Sequence, residues 1–459
     1  MSESDTIAAI STPSGEGGIG IVRVSGPESF QLAKRIFVPH KGIKDNYPLS
    51  HHLYHGHIRN EQSEIVDEAL VSFMRAPHTY TCEDTVEVNC HSGIFTLRLI
   101  LALILKLGAR LAEPGEFTKR AFLNGRIDLS QAESVLKIIR ARSEEGVKIA
   151  ARNVMGCLKV EVDNIRSEML DVMAQIEALL EYPEDIDQEG SINLNIMTKI
   201  NRVIQMLYQL LQGAERASAY QDGIDTAIIG KPNAGKSSLL NALLRQQRAI
   251  VHEIPGTTRD LLEGYLYIEG YPIRIMDTAG IRNTVDPVEQ EGINRSKGAA
   301  ERAKLILVVI DGSTSWSDED EALLQMIRDD QASIIVLNKA DLPQLVSDEF
   351  LANRFGDKKI IRTALVNNQG INQLEEEIIR LLDQHLGHGG ENYAMIGLRH
   401  EEIVRETLKS MERSAVASQP LELVSLGLHE AWRKLGEITG EIATDELLDR
   451  IFSQFCLGK

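Results

Sequence analysis

The chain has 459 residues, 43% of them hydrophobic and 25% charged, a composition that is ordinary for a folded protein of about three domains. Its net charge of −18 at pH 7 argues against a protein that coats nucleic acid broadly, so any RNA contact is expected to be local or supplied largely by a partner. The acidic start has no apolar core, which argues against a secretory signal. Four cysteines without metal-ligand spacing predict free thiols in a reducing cytoplasm.

Residues 1–120 have the pattern of a mixed α/β domain. Alternating apolar residues predict strands at 19–24 and 85–90, and a helix is predicted over 95–107. The apolar run 99–105 lies within that helix and is too short to span a bilayer, so no membrane segment is expected.

Helices are predicted from about residue 129. Apolar side chains recur there at spacings of three and four, which indicates a helix with one apolar stripe. The stripe consists of Leu158, Val162, Ile165, Met169, Val172, Ile176 and Leu179. A second helix is predicted over 200–217. We expect the stripe to pack a helical bundle, with a partner-binding groove as the alternative.

Short apolar strands alternate with helices beyond residue 222. Strands are predicted at 226–229, 273–276, 305–310 and 334–337, the pattern of a doubly wound α/β module. A helix over 371–385 closes this module, a Gly-rich joint follows at 387–390, and helices resume to residue 459. The predicted architecture is therefore an α+β N-terminal domain (1–120) and a helical domain in two parts (121–221 and 387–459), with an α/β module (222–386) inserted between those parts.

Four sequence motifs of a GTPase follow one another in this module. Residues 230–237 read Gly-x-x-x-x-Gly-Lys-Ser, a loop whose backbone N–H groups cradle phosphates. Gly-Thr-Thr at 256–258, Asp-Thr-Ala-Gly at 277–280 and Asn-Lys-Ala-Asp at 338–341 come next. Each motif alone is compatible with an ordinary turn, but four in this order predict a Ras-like G domain that binds and hydrolyses GTP.

The motifs assign roles at the nucleotide site. Lys236 neutralises the outer phosphates, while Ser237 and Thr258 ligate Mg²⁺. Asn338 and Asp341 select guanine, because Asp341 accepts from two guanine N–H groups that adenine does not offer. The predicted nucleotide site consists of Asn233, Ala234, Gly235, Lys236, Ser237, Ser238, Thr257, Thr258, Asp277, Thr278, Ala279, Gly280, Asn338, Lys339, Asp341, Thr363, Ala364 and Leu365.

The residue after the Asp-Thr-Ala-Gly motif is unusual. Many Ras-like GTPases have a glutamine there that orients the attacking water, whereas this chain has Ile281. Either hydrolysis is slow or another residue supplies the function. Glu289 is the candidate, and a solvated acid of the switch region is the alternative.

Three sequence signatures outside the GTPase motifs are characteristic of a known family. They lie at 5–23, at 114–133, where Pro-Gly-Glu-Phe-Thr-Lys-Arg-Ala-Phe-Leu-Asn-Gly is followed by Asp-Leu-Ser-Gln-Ala-Glu, and at 455–459, Phe-Cys-Leu-Gly-Lys. Together with the inserted G domain, they closely resemble the MnmE (TrmE) family of tRNA modification GTPases. The resemblance extends over the whole chain, and the Pro-Gly-Glu-Phe and C-terminal signatures are more specific than the GTPase motifs.

The resemblance implies a role in modifying tRNA. That family works with the FAD-dependent protein MnmG (GidA), and together they add a (carboxymethyl)aminomethyl group at C5 of the wobble uridine, position 34, of certain tRNAs. Its N-terminal domain resembles folate-binding enzymes, mediates constitutive homodimerisation, and holds 5-formyl- or methylene-tetrahydrofolate as a one-carbon source. A homodimer and a heterotetramer with MnmG are thereby implied for this chain.

The resemblance also implies folate contacts at specific residues. Arg23 and Glu87 match the family's folate contacts, and Arg126, which replaces a lysine of some members, keeps a cation there. The C-terminal tail is implied to lie near the folate, where Cys456 takes part in chemistry. A buried, small apolar role is the alternative for Cys456. Lys459 offers its ammonium to the folate tail or to RNA, or is a solvated terminus.

Activation by K⁺ and by dimerisation of the G domains is a further implication of the resemblance. Asn233 matches the loop asparagine that coordinates K⁺, and backbone carbonyls of His252 and Ile254 with an oxygen of Thr257 complete the ligand set. Glu289 matches the family's catalytic glutamate, which orients the attacking water through a bridging water.

Two other functions are compatible with parts of the pattern. One is a ribosome-assembly GTPase, although residues 391–459 lack the small basic RNA-binding module or second G domain typical of such proteins. The other is a folate-dependent one-carbon enzyme with GTPase regulation and no role in tRNA.

Overall fold

The computed structural model describes residues 5–13, 15–40, 48–181, 189–246, 264–276, 298, 300–328, 331–356, 358–386, 396–416 and 419–459. The chain divides into two compact units. The first consists of residues 1–136, 154–166 and 429–459, and the second of 137–153 and 167–428. The domain boundaries expected at residues 120, 221 and 386 stay predictions.

The first unit is built on a seven-stranded sheet. Its strands are β1 Ile7–Ile10, β2 Gly20–Ser25, β3 Phe37–Pro39, β4 His52–Arg59, β5 Ile65–Met74, β6 Thr85–Cys90 and β7 Arg110–Leu111. They lie in the order β3-β4-β5-β6-β2-β1-β7, antiparallel except for the parallel pair β1 and β7. The strands predicted at 19–24 and 85–90 are thus confirmed as β2 and β6.

Side chains alternate between the two faces of this sheet. Val22, Val24, Val86 and Val88 are fully buried and belong to an aliphatic core on one face. The residues between them lie on the opposite face, because successive side chains of a strand point to opposite sides. Arg23 of β2 is directly opposite Glu87 of β6 in the register, so both are on that second face.

Helices make up most of the remaining described chain. They are α1 Ser29–Ile36, α2 Ile94–Lys106, α3 Glu116–Leu123, α4 Leu129–Arg140, α5 Glu144–Val154, α6 Cys157–Glu181, α7 Glu189–Asp222, α8 Lys236–Gln246, α9 Asp318–Leu324, α10 Asp348–Phe355, α11 Ile371–Leu386, α12 Leu398–Ser414, α13 Leu421–Thr439 and α14 Asp445–Phe452. The predicted apolar stripe lies on α6, where six of its seven side chains are buried and Leu179 is half-buried. Within the described ranges, no helix has the length and apolarity needed to cross a bilayer.

The second unit contains a six-stranded sheet. Its strands are β8 Ile224–Gly230, β9 Gly264–Ile268, β10 Tyr271–Ile275, β11 Leu305–Asp311, β12 Ala332–Asn338 and β13 Lys359–Arg362, in the order β13-β12-β11-β8-β10-β9. All neighbours are parallel except β9 and β10. Every residue of β11 and β12 is buried, as expected for parallel strands covered on both faces. The predicted doubly wound fold is confirmed.

Helices that flank the α/β module in the chain are neighbours in space. Tyr208 of α7, which precedes the module, donates its hydroxyl to Glu412 Oε1 of α12 at 2.6 Å. The two helices are 204 residues apart in sequence at this contact. The α/β module therefore interrupts a helical segment, as predicted.

Candidate functional sites

The carboxyl ends of the parallel strands converge at one edge of the second sheet. There, β8 ends at Gly230, β11 at Asp311 and β12 at Asn338, and Asp311 is directly opposite Asn338 in the register. Ligands of doubly wound sheets bind outside this edge. The fold thus brings together the phosphate loop and the Asn-Lys-Ala-Asp motif, which are about a hundred residues apart in sequence.

The phosphate loop has backbone conformations that form an anion-binding concavity. Asn233 has φ of +61° and Gly235 has φ of +112°, and α8 begins at Lys236. A Cβ on Gly235 would lie 2.1 Å from Asn338 Nδ2, so only glycine fits at this position. The N-terminus of α8 points at this loop, and the positive end of its helix dipole favours an anion here.

The side chain of Lys236 is held by backbone carbonyls of the phosphate loop. Its Nζ donates to the carbonyl oxygens of Gly230 and Lys231, both at 2.8 Å. Burial lowers the pKa of Lys236 from its ordinary value, because removal from water penalises the charged form. A partly desolvated ammonium surrounded by neutral groups is a favourable partner for a phosphate, so these residues fit the triphosphate of a nucleotide.

Asn338 connects the Asn-Lys-Ala-Asp motif to the phosphate loop. It is 4% exposed, and its Nδ2 donates to Ala234 O at 2.9 Å. Its Oδ1 accepts from Thr363 Oγ1 at 3.3 Å and from Leu365 N at 3.4 Å. The predicted segment 363–365 thus lies beside Asn338, and one side chain fixes three parts of the site relative to one another.

Lys339 is anchored by an aspartate that sequence reasoning missed. Lys339 Nζ donates to Asp311 Oδ2 at 2.6 Å. Burial alone would raise the pKa of Asp311, but hydrogen bonds from Lys339 and Ser313 outweigh it and leave that pKa below its ordinary value. Asp341, two residues on, is exposed. The position of Asp311 at the carboxyl end of a buried strand was the available signal.

The other predicted nucleotide ligands divide into two groups. Ser237 and Ser238 lie in the first turn of α8, and the exposed Ser238 lines a depression with Leu365. Several predicted residues are outside the described ranges: His252, Ile254, Thr257, Thr258, Asp277, Thr278, Ala279, Gly280 and Glu289.

A second cluster lies on the sheet of the first unit, on the face opposite its aliphatic core. Arg23 Nε donates to Glu87 Oε1 at 2.8 Å, and an Nη of Arg23 is also 2.8 Å from that oxygen. Both side chains keep part of their surface in solvent, 15% for Arg23 and 24% for Glu87. The predicted pair is thus in contact and remains accessible to a ligand.

Aromatic rings surround the Arg23 guanidinium. Its Cζ lies 5.4 Å from the Tyr80 ring centroid and 5.6 Å from that of Phe117, while Arg126 lies 4.6 Å from the Tyr80 centroid. Tyr80 therefore contacts both predicted arginines. Sequence reasoning missed Tyr80 and Phe117, because a lone aromatic residue in a loop or helix has no distinguishing local pattern.

The C-terminal tail reaches this arginine cluster. Arg23 Nη1 donates to Gly458 O at 3.4 Å, and Phe117 N donates to Lys459 O at 3.2 Å. Gly458 has φ of +86°, and a Cβ there would lie 2.3 Å from Ile10 O of β1. Burial and the nearby Arg23 charge lower the pKa of Lys459.

Cys456 is exposed, whereas the neighbouring Phe455 is buried. The alternative of a buried, small apolar residue at Cys456 is therefore wrong. The Cys456 thiol therefore lies at the surface, between the buried Phe455 and Gly458, whose carbonyl contacts Arg23.

Known proteins are similar to this chain over both its N-terminal part and the helical part that follows. The family model described as the MnmE helical domain matches residues 129–456, and that of the GTP-binding protein TrmE N-terminus matches residues 6–126. The tRNA modification GTPase MnmE of Levilactobacillus brevis is 46% identical over 100% of this chain and 99% of its own length. The protein of the same name from Listeria welshimeri is 44% identical over the full length of both.

Among solved structures, the G domain of the Thermotoga maritima FeoB iron transporter covers 34% of this chain and 98% of its own, at 22% identity and a TM-score of 0.26. That score is too low to support any inference. Identity of this degree across the full length of curated relatives, together with two matching family models, is decisive. The chain belongs to the MnmE family of tRNA modification GTPases.

Proposed function

We propose that this protein hydrolyses GTP and, with that reaction, serves the modification of tRNA. The observation that carries the proposal is the 2.9 Å hydrogen bond from Asn338 Nδ2 to Ala234 O. It joins the phosphate-binding loop to the guanine-reading motif, so that one ligand contacts both. Full-length similarity to tRNA modification GTPases supports the second half of the proposal.

At the nucleotide site, the residues act by position and charge. Lys236 neutralises the outer phosphates from its place above the loop, and the N-terminus of α8 adds N–H donors. Mg²⁺, when bound, neutralises charge that develops on the phosphates, and Ser237 and Thr258 would hold it, with Asp277 acting through water. Asp341 accepts from the guanine base. Guanine O6 is proposed to accept from a backbone N–H of residues 363–365, in exchange for a contact within the protein such as the 3.4 Å hydrogen bond from Leu365 N to Asn338 Oδ1.

We further propose that hydrolysis depends on K⁺ and on pairing of two G domains. Asn233 is exposed at the rim of the loop, where its side chain is available as a ligand. Backbone carbonyls of His252 and Ile254 and an oxygen of Thr257 would complete the site. K⁺, when bound, supplies positive charge beside the phosphates, as an arginine does in other GTPases. Glu289 would orient the attacking water through a second water.

The arginine cluster of the first unit is proposed to bind a tetrahydrofolate. Arg23 and Arg126 offer cations beside the Tyr80 ring, a setting that suits the carboxylates and flat rings of a folate. Glu87 is a hydrogen-bond acceptor for the pterin, and the Lys459 ammonium is an additional cation. The folate, 5-formyl- or methylene-tetrahydrofolate, supplies a one-carbon unit when bound. Cys456 is placed at the surface beside this cluster and is proposed to take part in its chemistry.

The proposed partners are a second copy of this chain, the FAD-dependent MnmG protein in a heterotetramer, and tRNA in the cytoplasm. A chain with a net charge of −18 is poorly suited to hold tRNA alone, so MnmG is expected to contribute much of the basic surface. The proposed product carries a (carboxymethyl)aminomethyl group at C5 of uridine 34. The proposal thereby differs from both alternatives, a ribosome-assembly GTPase and a folate-dependent one-carbon enzyme without a role in tRNA.

Analysis of tRNA nucleosides by mass spectrometry tests this function. A strain that lacks the gene should lose the wobble-uridine modification, the wild-type gene should restore it, and Lys236→Ala should not. Lys409→Ala, at an exposed position of α12, is the matched control and should restore it fully. Unchanged nucleosides in the deletion strain would refute the role in tRNA modification.

A further inference from the structure

A group of histidines lies at the edge of the first unit's sheet, away from the arginine cluster. His40 directly follows β3, His55 and His57 are two residues apart on β4, and Glu68 is on β5. His57 is directly opposite Glu68 in the register, and His40 N donates to His55 O at 3.0 Å. Because side chains alternate along a strand, His55, His57 and Glu68 share one face of the sheet.

The side chains of this group are already in contact. The His40 ring centroid lies 4.4 Å from that of His57 and 4.5 Å from that of His55. Glu68 Oε1 is 3.3 Å from His40 Nε2 and 2.9 Å from His55 Nε2. One ligand atom each from His40, His57 and Glu68 lies within 4.8 Å of the other two.

His57 has a buried nitrogen with unused capacity. Its Nδ1 is buried and, among the described residues, has no hydrogen-bond partner. A buried polar atom normally has one, because desolvation without compensation is costly. The strands are also close here, since a Cβ on Gly56, between the two β4 histidines, would lie 2.3 Å from Val38 O of β3. The three elements therefore present the ligands from a well-packed backbone.

We propose that His40, His57 and Glu68 form a binding site for a divalent transition-metal ion of the zinc class. Two imidazoles and one carboxylate are a common zinc set, whereas Mg²⁺ and Ca²⁺ prefer oxygen ligands alone. A tetrahedral zinc with bonds of about 2.0–2.1 Å needs ligand atoms about 3.3 Å apart. The ligand atoms now lie within 4.8 Å of one another, so binding requires side-chain rotations that shorten these distances, and His40 and Glu68 are exposed while His57 is half-buried.

His55, the fourth residue of the histidine group, supports the metal ligands. His55 contacts Glu68 at 2.9 Å and is positioned to hold the carboxylate towards the metal, as residues around metal ligands commonly do. The ion would fasten the three-residue strand β3 to β4 and β5. A metal that binds only the folded chain raises its melting temperature, so zinc is expected to stabilise this unit.

Calorimetric titration of the full-length, chelator-treated protein with Zn²⁺, in excess Mg²⁺ and reductant, tests the proposal. We expect one saturable site per chain. The double variant His40→Ala/His57→Ala should weaken binding by more than about 100-fold, beyond the 10–100-fold effect of residues that only orient a ligand. Glu68→Gln, a conservative change at an exposed residue, should also weaken it. Co²⁺ in place of Zn²⁺ should give visible absorption typical of four-coordinate cobalt.

His91→Ala is the matched control. His91, which directly follows β6, pairs with Asp67 of β5 at 2.7 Å, and the pair belongs to no three-ligand group among the described residues. This variant should bind zinc as the wild type does, and circular dichroism should show that all variants remain folded. Absence of saturable binding would overturn the proposal. So would zinc binding that survives in the double variant and is lost in Cys157→Ser/Cys456→Ser, which would place the ion at the exposed thiols.

Discussion

Replacement of Asn338 by alanine should loosen the phosphate loop even without nucleotide. Asn338 Nδ2 provides the side-chain hydrogen bond to the carbonyl of Ala234, a residue that is 1% exposed. Leaving a buried acceptor without its donor costs about 1–3 kcal/mol. Because 1.4 kcal/mol corresponds to a factor of ten, local opening of the loop should increase by about 5- to 150-fold.

Hydrogen exchange of the nucleotide-free, full-length protein measures this opening. Backbone amides of the loop and of the first turn of α8 should exchange faster in Asn338→Ala by that factor, while amides of the first unit stay unchanged. Asn338→Asp should behave similarly, because a carboxylate cannot donate to Ala234 O.

Asp341→Ala separates the loss of a base contact from the loss of this connection. Asp341 is exposed, and exposed substitutions usually change stability by less than about 0.5 kcal/mol. Loop exchange should therefore stay within about threefold of wild type in Asp341→Ala, although GTP binds more weakly. Unchanged loop exchange in Asn338→Ala, or equal loosening in both variants, would refute the reasoning.

Four further predictions concern single side chains. Asp341→Asn should shift base preference from guanosine to xanthosine triphosphate, because an amide can donate to the oxygen that replaces the guanine amine; unaltered preference in competition binding would contradict this. Arg23→Lys keeps the charge but loses the planar guanidinium beside Glu87, so fluorescence titration should show that the affinity for 5-formyl-tetrahydrofolate falls by about tenfold or more. The affinity for GTP, which should not change, is the control. Glu289→Ala should keep GTP affinity while K⁺-dependent turnover falls by about 10²–10⁴-fold, and parallel loss of affinity would mean a structural role. Hydrogen bonds from Lys339 and Ser313 outweigh the effect of burial and hold the pKa of Asp311 below its ordinary value, so the pairing with Lys339 stabilises the fold at neutral pH and does so less as the pH falls through the folded-state pKa. The melting-temperature difference between wild type and Asp311→Asn should therefore shrink below about pH 4. A difference that stays constant would count against the pairing.

The sequence was most informative where chemistry is contiguous. The phosphate loop and the Asn-Lys-Ala-Asp motif are recognisable because neighbouring residues act on one ligand. Strands β11 and β12 were predicted because parallel strands covered on both faces are apolar throughout. Short edge strands such as β3 and β9 lack that continuity, and no strand was predicted for either.

Local sequence patterns do not predict contacts between distant segments. Asp311 and Lys339 are 28 residues apart, and the rings around Arg23 come from a loop and from α3. Such pairs depend on how strands are ordered in the sheet and on where helices pack, which periodicity does not specify. The tail beside Arg23 was expected from family resemblance alone, because nothing in residues 455–459 indicates its destination.

The contact between Arg23 and Gly458 also has a consequence for biosynthesis. The two residues are 435 positions apart. At about 5–20 residues per second, the ribosome adds the second roughly 20–90 s after the first. During that interval, the whole α/β module emerges while the sheet carrying Arg23 lacks its tail. The arginine cluster is thus completed only when the end of the chain has been made, although most of its residues are among the first to be synthesised.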